Sequence, residues 1–138
     1  GPFGRSGALR VSSIELVIDI PFIRDRGLLF SESMGLGTAL PAGEENIFLL
    51  RLLEAGGSVS HHPVVAAGHT CPPGRRREAL RGPATLRAGG VVARHFGLAG
   101  GLLLVCRWWI REPFHGMPVR NGRFILGGFL QGRRLLPE

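Results

Sequence analysis

Apolar runs alternate with glycine- and proline-rich segments along the chain, and this pattern predicts a mixture of short strands and helices. Leu9 to Ile20 is rich in Val and Ile and contains no helix breaker, which predicts a buried strand. Pro21 to Arg26 is expected to form a short helical turn that ends at Gly27. The next stretch, Leu28 to Gly43, mixes Ser, Gly and Pro, so we expect a long loop of the kind that often carries function.

The clearest helix is predicted from Glu44 to Ala55. Its first turn carries two glutamates, which favour the positive end of the helix dipole, and Gly56-Gly57 follows at the position where helices commonly end. Because most of the intervening side chains are apolar, we expect this helix to be buried on most sides. After it, Ser58 to His62 and Val64 to Gly68 predict two short strands separated by Pro63.

The second half of the chain is predicted to be helical. A Pro, Gly and Arg loop from Cys71 to Gly82 precedes a helical stretch from Ala84 to Trp109, with interruptions expected at Gly89-Gly90 and at Gly97. A last helix is expected from about Arg123 to Leu136. The order of elements predicts an α/β fold, with residues 1–82 as one domain and residues 83–138 as a helical, arginine-rich C-terminal extension.

Positive charge is concentrated in the second half. All 17 basic residues are arginine; residues 1–69 hold 5 of them with 7 acidic residues, whereas residues 70–138 hold 12 with 3 acidic residues. The second half is therefore expected to meet anions such as phosphates, anionic lipid or nucleic acid. Two cysteines give no disulfide framework, no signal peptide is visible, and the longest apolar run is shorter than a membrane span, so we expect a cytoplasmic location.

The start of the predicted helix at Glu44 is a candidate catalytic position. A general base needs an ionised carboxylate that is partly screened from water and aimed at its proton. A helix N-terminus after a glycine-rich loop provides this, because the dipole keeps the carboxylate charged and the loop leaves room for a substrate. The alternative is purely structural, since two glutamates in a first turn stabilise the helix by about 0.3–1 kcal/mol each.

An ordered set of short motifs resembles family 2 glycosyltransferases of the GT-A type over roughly Leu9 to Gly82. In that family a Gly-Glu-Asp type motif opens a helix that ends in Ala-Gly, and a strand, a proline and a histidine follow. The matching segments are Ser12-Ser13-Ile14-Glu15, Gly27-Leu28-Leu29-Phe30-Ser31-Glu32, Gly35-Leu36-Gly37-Thr38, the run from Ala42 to Gly57, Pro63-Val64-Val65, and His69.

The resemblance implies a partial GT-A-like fold and an inverting transfer of a sugar from a nucleotide-diphosphate sugar to a glycan or lipid-linked hydroxyl. Glu45 takes the position of the catalytic base, while Gly43 and Glu44 would bind the acceptor substrate. Two residues depart from the family pattern: Glu45 stands where the family has Asp, and Ser31 replaces the Asp of the Phe-Asp-Glu segment. The added methylene at position 45 shifts the carboxylate in a geometry that tolerates little displacement.

The donor-binding half of such an enzyme is not recognisable in this sequence. The family holds its donor through an Asp-x-Asp motif and a divalent metal, Mn or Mg, but the two aspartates here, Asp19 and Asp25, are not so spaced. The chain therefore resembles the C-terminal, acceptor-side portion, and it is expected to be a fragment, a truncated gene product, or the partner of a separate donor-binding domain. We expect the isolated chain to be inactive on sugar nucleotides, because the leaving diphosphate needs a metal or fixed cations.

Candidate ligands for the metal and the diphosphate come next along the chain. The resemblance implies that His69 touches the metal or the diphosphate; a histidine satisfied by backbone at a strand end is the alternative. A zinc site from His61, His62, His69 and Cys71 matches no standard spacing. The cluster Arg75-Arg76-Arg77 is interpreted either as a lid over the donor diphosphate or as a solvated loop.

The apolar stretch from Phe96 to Ile110 leads to a different class of function. Tryptophans beside arginines, Arg107-Trp108-Trp109, at the end of an apolar helix are typical of a membrane interface, although a helix packed in a core has the same pattern. The rival hypothesis is thus a non-catalytic basic module that binds an anionic membrane surface or nucleic acid. Nucleic acid is the less favoured partner, because the aromatic residues are not interleaved with the basic cluster. A peripheral contact at the inner face of the membrane fits either hypothesis.

Overall fold

The computed structural model describes residues 3–11, 15–65, 82–111 and 121–135, and these residues are mainly helical. Helix accounts for 59% of them and strand for 1%, and they contain no sheet. The helices are α1 (Arg5–Ala8), α2 (Ile20–Asp25), α3 (Glu44–Glu54), α4 (Pro83–Arg94), α5 (Gly97–Arg111) and α6 (Gly122–Leu135).

The predicted α/β fold, with its partial GT-A-like sheet, is therefore wrong. The described part of the stretch from Leu9 to Ile20 forms no strand, and neither do the described parts of the two segments after α3, apart from a single bridge residue at Ser60. A strand needs a neighbour for its backbone hydrogen bonds, and β-branched residues favour strands only in that setting. Val17 and Val65 are 95% and 99% exposed, so their side chains gain no burial.

The chain divides into two compact units. The first contains residues 1–32 and 44–70, and the second contains residues 33–43 and 71–138. The second unit thus takes in the loop that precedes α3, in addition to the three C-terminal helices. The domain boundary that the sequence predicts at residue 82 stays a prediction.

In the first unit, α3 is the buried helix that the sequence predicts. Ile47, Phe48, Leu49 and Leu50 are at most 3% exposed. Four consecutive buried residues cover every side of a helical turn, so α3 is surrounded in its first half. The ring of Phe30 stacks on that of Phe48, with centroids 4.2 Å apart and planes 5° from parallel.

Polar contacts hold α1 and the segment after α2 to the same helix. Asn46 Nδ2 donates to the carbonyl of Ala8 at 2.7 Å, and Arg5 pairs with Glu54 at 3.0 Å. At the C-terminal end of α3, the Arg26 guanidinium donates to the carbonyl of Ala55 at 2.8 Å. An arginine at this position binds a carbonyl that the helix itself leaves unpaired, and Gly56 then turns the chain with φ 82°.

The second unit is built on α4, α5 and α6. Its core consists of Leu86 and Ala93 from α4, Val105 from α5, and Ile125 and Phe129 from α6. All five are at most 8% exposed. Burial of each of the larger side chains, which are all of these except Ala93, stabilises the folded state by about 1.5–3 kcal/mol. This cluster therefore contributes to the stability of the unit together with the buried Val91 and Val92 of α4.

Three Gly-Gly pairs determine how closely these helices approach: Gly89-Gly90, Gly100-Gly101 and Gly127-Gly128. In each pair the second glycine lies at a helix contact. A Cβ on Gly90 would collide with the carbonyl oxygen of Ile125, one on Gly128 with the carbonyl oxygen of Arg87, and one on Gly101 with the Phe129 ring and the Ala93 carbonyl. Glycine here allows two helix backbones to touch, as small residues do at close helix crossings generally.

The predicted interruption at Gly89-Gly90 is wrong, whereas the one at Gly97 is confirmed. Helix α4 passes through both glycines and ends at Arg94, and Gly97 has φ 74°, a left-handed conformation that suits glycine. Packing against α6 outweighs the low helix propensity of glycine at position 90, because any larger residue would separate the helices. The helix predicted from Arg123 to Leu136 is confirmed as α6.

We expect Gly128→Ala to destabilise the second unit and the neighbouring change Gly127→Ala to stabilise it. The methyl group at 128 has no room beside the Arg87 backbone, and overpacking of this kind costs about 1–3 kcal/mol. At 127 nothing lies within 4 Å, so the gain in helix propensity of about 1 kcal/mol is retained. Chemical denaturation followed by circular dichroism measures both. Equal effects of the two substitutions would contradict the close helix approach.

Candidate functional site

The predicted catalytic pair opens α3 in the described structure. Gly43 is buried with φ 94°, and Glu44 and Glu45 occupy the first helical turn, half-buried. One carboxylate oxygen, Oε2, is buried in each residue, and Oε2 of Glu44 has no hydrogen-bond partner. The two carboxylates are thus partly screened from solvent. Their roles as catalytic base and substrate ligand stay predictions.

The glycine-rich loop before this helix is closed by Thr38. The amide of Gly35 donates to the carbonyl of Leu40 at 2.9 Å, and the Thr38 hydroxyl lies 2.9 Å from the Gly35 carbonyl and 3.0 Å from that of Leu40. The hydroxyl oxygen also accepts from the Leu40 amide at 3.1 Å. Gly35 and Gly37 have φ 112° and 87°, which the tight turn requires. The Gly35–Thr38 motif therefore has a structural role within its own loop.

The described residues offer no metal centre. They contain no group of three or more His, Cys, Asp or Glu side chains that could hold an ion. His61 stacks on Phe3 with centroids 6.3 Å apart, and His62 Nε2 lies 3.0 Å from the Ser60 hydroxyl. The other predicted ligands of metal or diphosphate, His69, Cys71 and the Arg75-Arg76-Arg77 cluster, lie outside the described residues, so their roles stay predictions.

The three helices of the second unit carry positive charge without any acidic residue. Helices α4, α5 and α6 contain no Asp or Glu, and their arginines are Arg87, Arg94, Arg107, Arg111, Arg123, Arg133 and Arg134. No ion pair can therefore form within or between these helices. Two of the arginines lie over one ring instead: the guanidinium carbons of Arg87 and Arg123 are 5.8 and 4.8 Å from the centroid of Phe124.

The side chain of Arg94 is more buried than those of the exposed arginines Arg87 and Arg107. Its guanidinium lies over the buried Phe129 ring at 5.4 Å, and its stem runs past Gly132, where an added Cβ would come within 3.0 Å of the arginine Cβ. Its Nη1 atom is buried and has no hydrogen-bond partner. A buried donor without an acceptor destabilises the fold by about 1–3 kcal/mol, and by more when it is charged.

Helix α5 turns an apolar surface to solvent. We define its outer face as Leu98, Leu102, Leu103, Cys106 and Ile110. The three leucines and the isoleucine are 37–72% exposed, and Cys106 is also exposed. Four of these five positions follow each other in steps of four residues, which places them along one side of the helix. The opposite side contains the buried Gly101 and Val105 and packs in the core.

Of the two tryptophans that the sequence assigns to a membrane interface, Trp108 turns toward α4 and α6, whereas the side chain of Trp109 lies outside the described structure and its role stays a prediction. Trp108 is half-buried and lines a pocket of about 220 Å³ together with Thr85, Leu86, Gly89 and Ile125. The leucines and the isoleucine of the outer face are aliphatic side chains that do reach solvent. Sequence reasoning missed this face because α5 is apolar on nearly all sides. The four-residue spacing from Leu98 to Ile110 is the signal that was available.

Comparison with models of known protein families, with curated proteins and with solved structures finds no match for this chain. Within the described ranges, every helix is too short or too polar to cross a bilayer. The glycosyltransferase resemblance therefore stays a prediction made from the sequence.

We expect Arg94→Met to raise the free energy of unfolding by about 1 kcal/mol, because it removes the buried N–H that has no acceptor. The methionine retains a flexible stem and a sulfur contact to Phe129, which offsets the lost cation–π interaction. Arg87→Met is the matched control on the same helix; Arg87 is exposed, so its replacement should change stability by less than about 0.5 kcal/mol. A urea titration of each variant measures the difference. If Arg94→Met instead lowers the free energy of unfolding, the guanidinium group of Arg94 has a hydrogen-bond acceptor in solution.

Proposed function

We propose that this chain is a membrane-surface interaction module, whose second unit binds anionic lipid through the outer face of α5. The observation that carries the proposal is a solvent-facing row of aliphatic side chains, Leu98 to Ile110, on a helix within an acid-free group of three. An apolar face of this kind on an otherwise packed helix is typical of an interaction surface.

The dimensions of α5 favour a position parallel to the membrane. With 15 residues it is about 22 Å long, shorter than the hydrocarbon core of about 30 Å. A helix in the interface plane buries its apolar side by 5–10 Å at the boundary between headgroups and acyl chains, roughly the depth of one layer of side chains. The outer face supplies that layer, while the opposite side stays packed against α4 and α6.

The positive charge of the three helices favours a membrane that contains anionic lipid over a neutral membrane. Each arginine near such a membrane contributes about 1 kcal/mol of attraction, and no carboxylate in these helices opposes it. Arg107 is exposed and directly adjoins Cys106 of the outer face. The apolar contact and the electrostatic attraction therefore come from the same helix.

Nucleic acid is the less favoured anion because three aromatic rings in the described helices of the second unit are already in contact with the protein itself. Binding of single strands relies on exposed rings on which bases stack. Phe129 is 1% exposed, Phe124 is covered by two guanidinium groups, and Trp108 lines a pocket. The aliphatic side chains of the outer face suit lipid better than bases.

Sugar transfer by Glu45 stays the second hypothesis. It is favoured by the partly buried carboxylates at the start of α3, and above all by the Glu44 oxygen that has no hydrogen-bond partner. The described residues lack the sheet on which such enzymes arrange donor and acceptor. Supplied with a donor-binding domain, the chain would have to transfer sugar and lose that activity in Glu45→Gln while folding normally.

We expect Leu103→Asn to lower the affinity for vesicles of phosphatidylglycerol and phosphatidylcholine about tenfold, because transfer of one leucine side chain from water is worth about 1.5–3 kcal/mol. Leu29→Asn is the matched control: Leu29 is 75% exposed and Leu103 is 72% exposed, but Leu29 belongs to the first unit. Co-sedimentation with vesicles measures both. Equal affinities of the two variants would refute the outer face as the lipid contact.

Three further measurements distinguish lipid from the other partners. Binding should require anionic lipid and weaken with salt, yet retain an apolar part at high salt that Leu103→Asn removes. Duplex or single-stranded DNA that binds as tightly as vesicles, with no effect of Leu103→Asn, would favour the nucleic-acid alternative. Sedimentation velocity without lipid tests the remaining occupant, a second copy of the chain; a dimer that Leu103→Asn dissociates would replace the membrane proposal.

A further inference from the structure

An apolar pocket that is more open to solvent than enclosed lies at the surface between the three helices of the second unit, away from the outer face of α5. Its volume is about 220 Å³, and it is lined by Thr85, Leu86 and Gly89 from α4, Trp108 from α5 and Ile125 from α6. None of these side chains is charged. An indole ring, two aliphatic side chains and a bare glycine form most of its wall, so the chemistry of the pocket is that of a hydrocarbon site.

The size of the pocket limits what it can hold. An engineered apolar cavity of about 150 Å³ is sufficient for benzene, whereas drug-sized ligands occupy pockets of about 300–1,000 Å³. At about 220 Å³ the pocket lies between these values, so it fits a single ring or a short length of one alkyl chain. A sugar or a nucleotide would leave its polar groups without partners against this wall.

Gly89 keeps the pocket open although helix packing does not require a glycine there. A Cβ at this position would meet only the Trp108 ring, at an ordinary contact distance of 3.6 Å. The neighbouring Gly90 has no such space, because its Cβ would lie 2.6 Å from the Phe129 amide nitrogen. Position 89 therefore accepts a side chain, and any longer side chain would take up the volume that the pocket now provides.

We propose that this pocket binds one hydrocarbon chain of an amphiphile, and that an acyl chain of the bound membrane is its source. The assignment of that source rests on the proposed function, whereas the binding of a hydrocarbon chain rests on the pocket alone. Trp108 and the exposed Ile110 both belong to the C-terminal half of α5, but two residues apart on a helix they point to nearly opposite sides, so the pocket is separate from the outer face.

The test uses short-chain probes and the fluorescence of Trp108. The chain contains two tryptophans, so Trp109→Phe leaves Trp108 as the only indole. In this background we expect 1-hexanol and monomeric hexyl sulfate to shift the Trp108 emission saturably, and glycerol 3-phosphate, a headgroup without a chain, to have no effect. No saturable shift with either chain would overturn the proposal.

Gly89→Met and Gly127→Met form the matched pair of variants. The methionine at 89 extends into the pocket and should weaken hexanol binding at least tenfold. Gly127, a half-buried glycine on α6 with nothing within 4 Å of its Cβ position, should accept the same side chain without effect on binding. Circular dichroism and the Tm check folding; if Gly89→Met does not fold, Gly89→Ala should give a smaller loss. Undiminished hexanol binding in a folded position-89 variant would overturn the proposal.

Vesicle binding separates this inference from the proposed function. In Gly89→Met we expect vesicles to bind through the intact outer face, while quenching of Trp108 by lipids brominated along their acyl chains falls to the level of an unoccupied pocket. Vesicle binding with no hexanol site would remove the pocket and leave the membrane proposal in place. Hexanol binding without vesicle binding would overturn the membrane as the source of the chain.

Discussion

The second unit depends on the contact between two helix backbones at Gly90 and Gly128. Each glycine lies against a carbonyl of the opposite helix, so α4 and α6 approach more closely than side chains would permit. Close backbone contact gains dispersion energy but buries little apolar side-chain surface. The hydrophobic contribution must therefore come from residues flanking the crossing, chiefly Ile125 and Phe129, and α5 covers these with one side while its other side stays in solvent. The exposed outer face follows from this arrangement.

The same arrangement explains the behaviour of the arginines. The described helices of the second unit contain no carboxylate that could pair with a guanidinium group, and the two rings of α6, Phe124 and Phe129, lie under three of the arginines. At Arg94 the close helix approach also buries a terminal nitrogen that has no acceptor. The unit thus tolerates an electrostatic cost that a single acidic residue would relieve. Helices that carry seven arginines and no acidic residue are suited to an anionic partner.

The first and last residues of a helix could be predicted from the sequence where neighbouring residues determine them, but the fold could not be predicted. Glutamates at the start and Gly56 at the end define α3 through backbone hydrogen bonding and the dipole, both of which can be read from a few neighbouring residues. Val17 and Val65 suit strands only when another strand lies beside them. The described residues contain no such neighbouring strand, and the sequence does not reveal this. Gly90 shows the converse: read alone it predicts a break, but the tertiary contact with α6 keeps it helical. The outer face and the pocket arise from the packing of three helices, so neither was predicted.

The residues that carry the glycosyltransferase resemblance have local structural roles of their own. Gly35 and Gly37 have positive φ in a turn closed by Thr38, Gly43 has φ 94° immediately before α3, and Gly56 ends that helix with φ 82°. A buried helix set between tight turns needs glycines and a favourable first turn at these places whatever the protein does. Local stereochemistry is therefore sufficient to produce the ordered motif without a shared reaction. The outer face of α5 has no such local explanation, because a helix exposed to water gains nothing from leucine over a polar residue of equal helix propensity, and this favours membrane binding over sugar transfer.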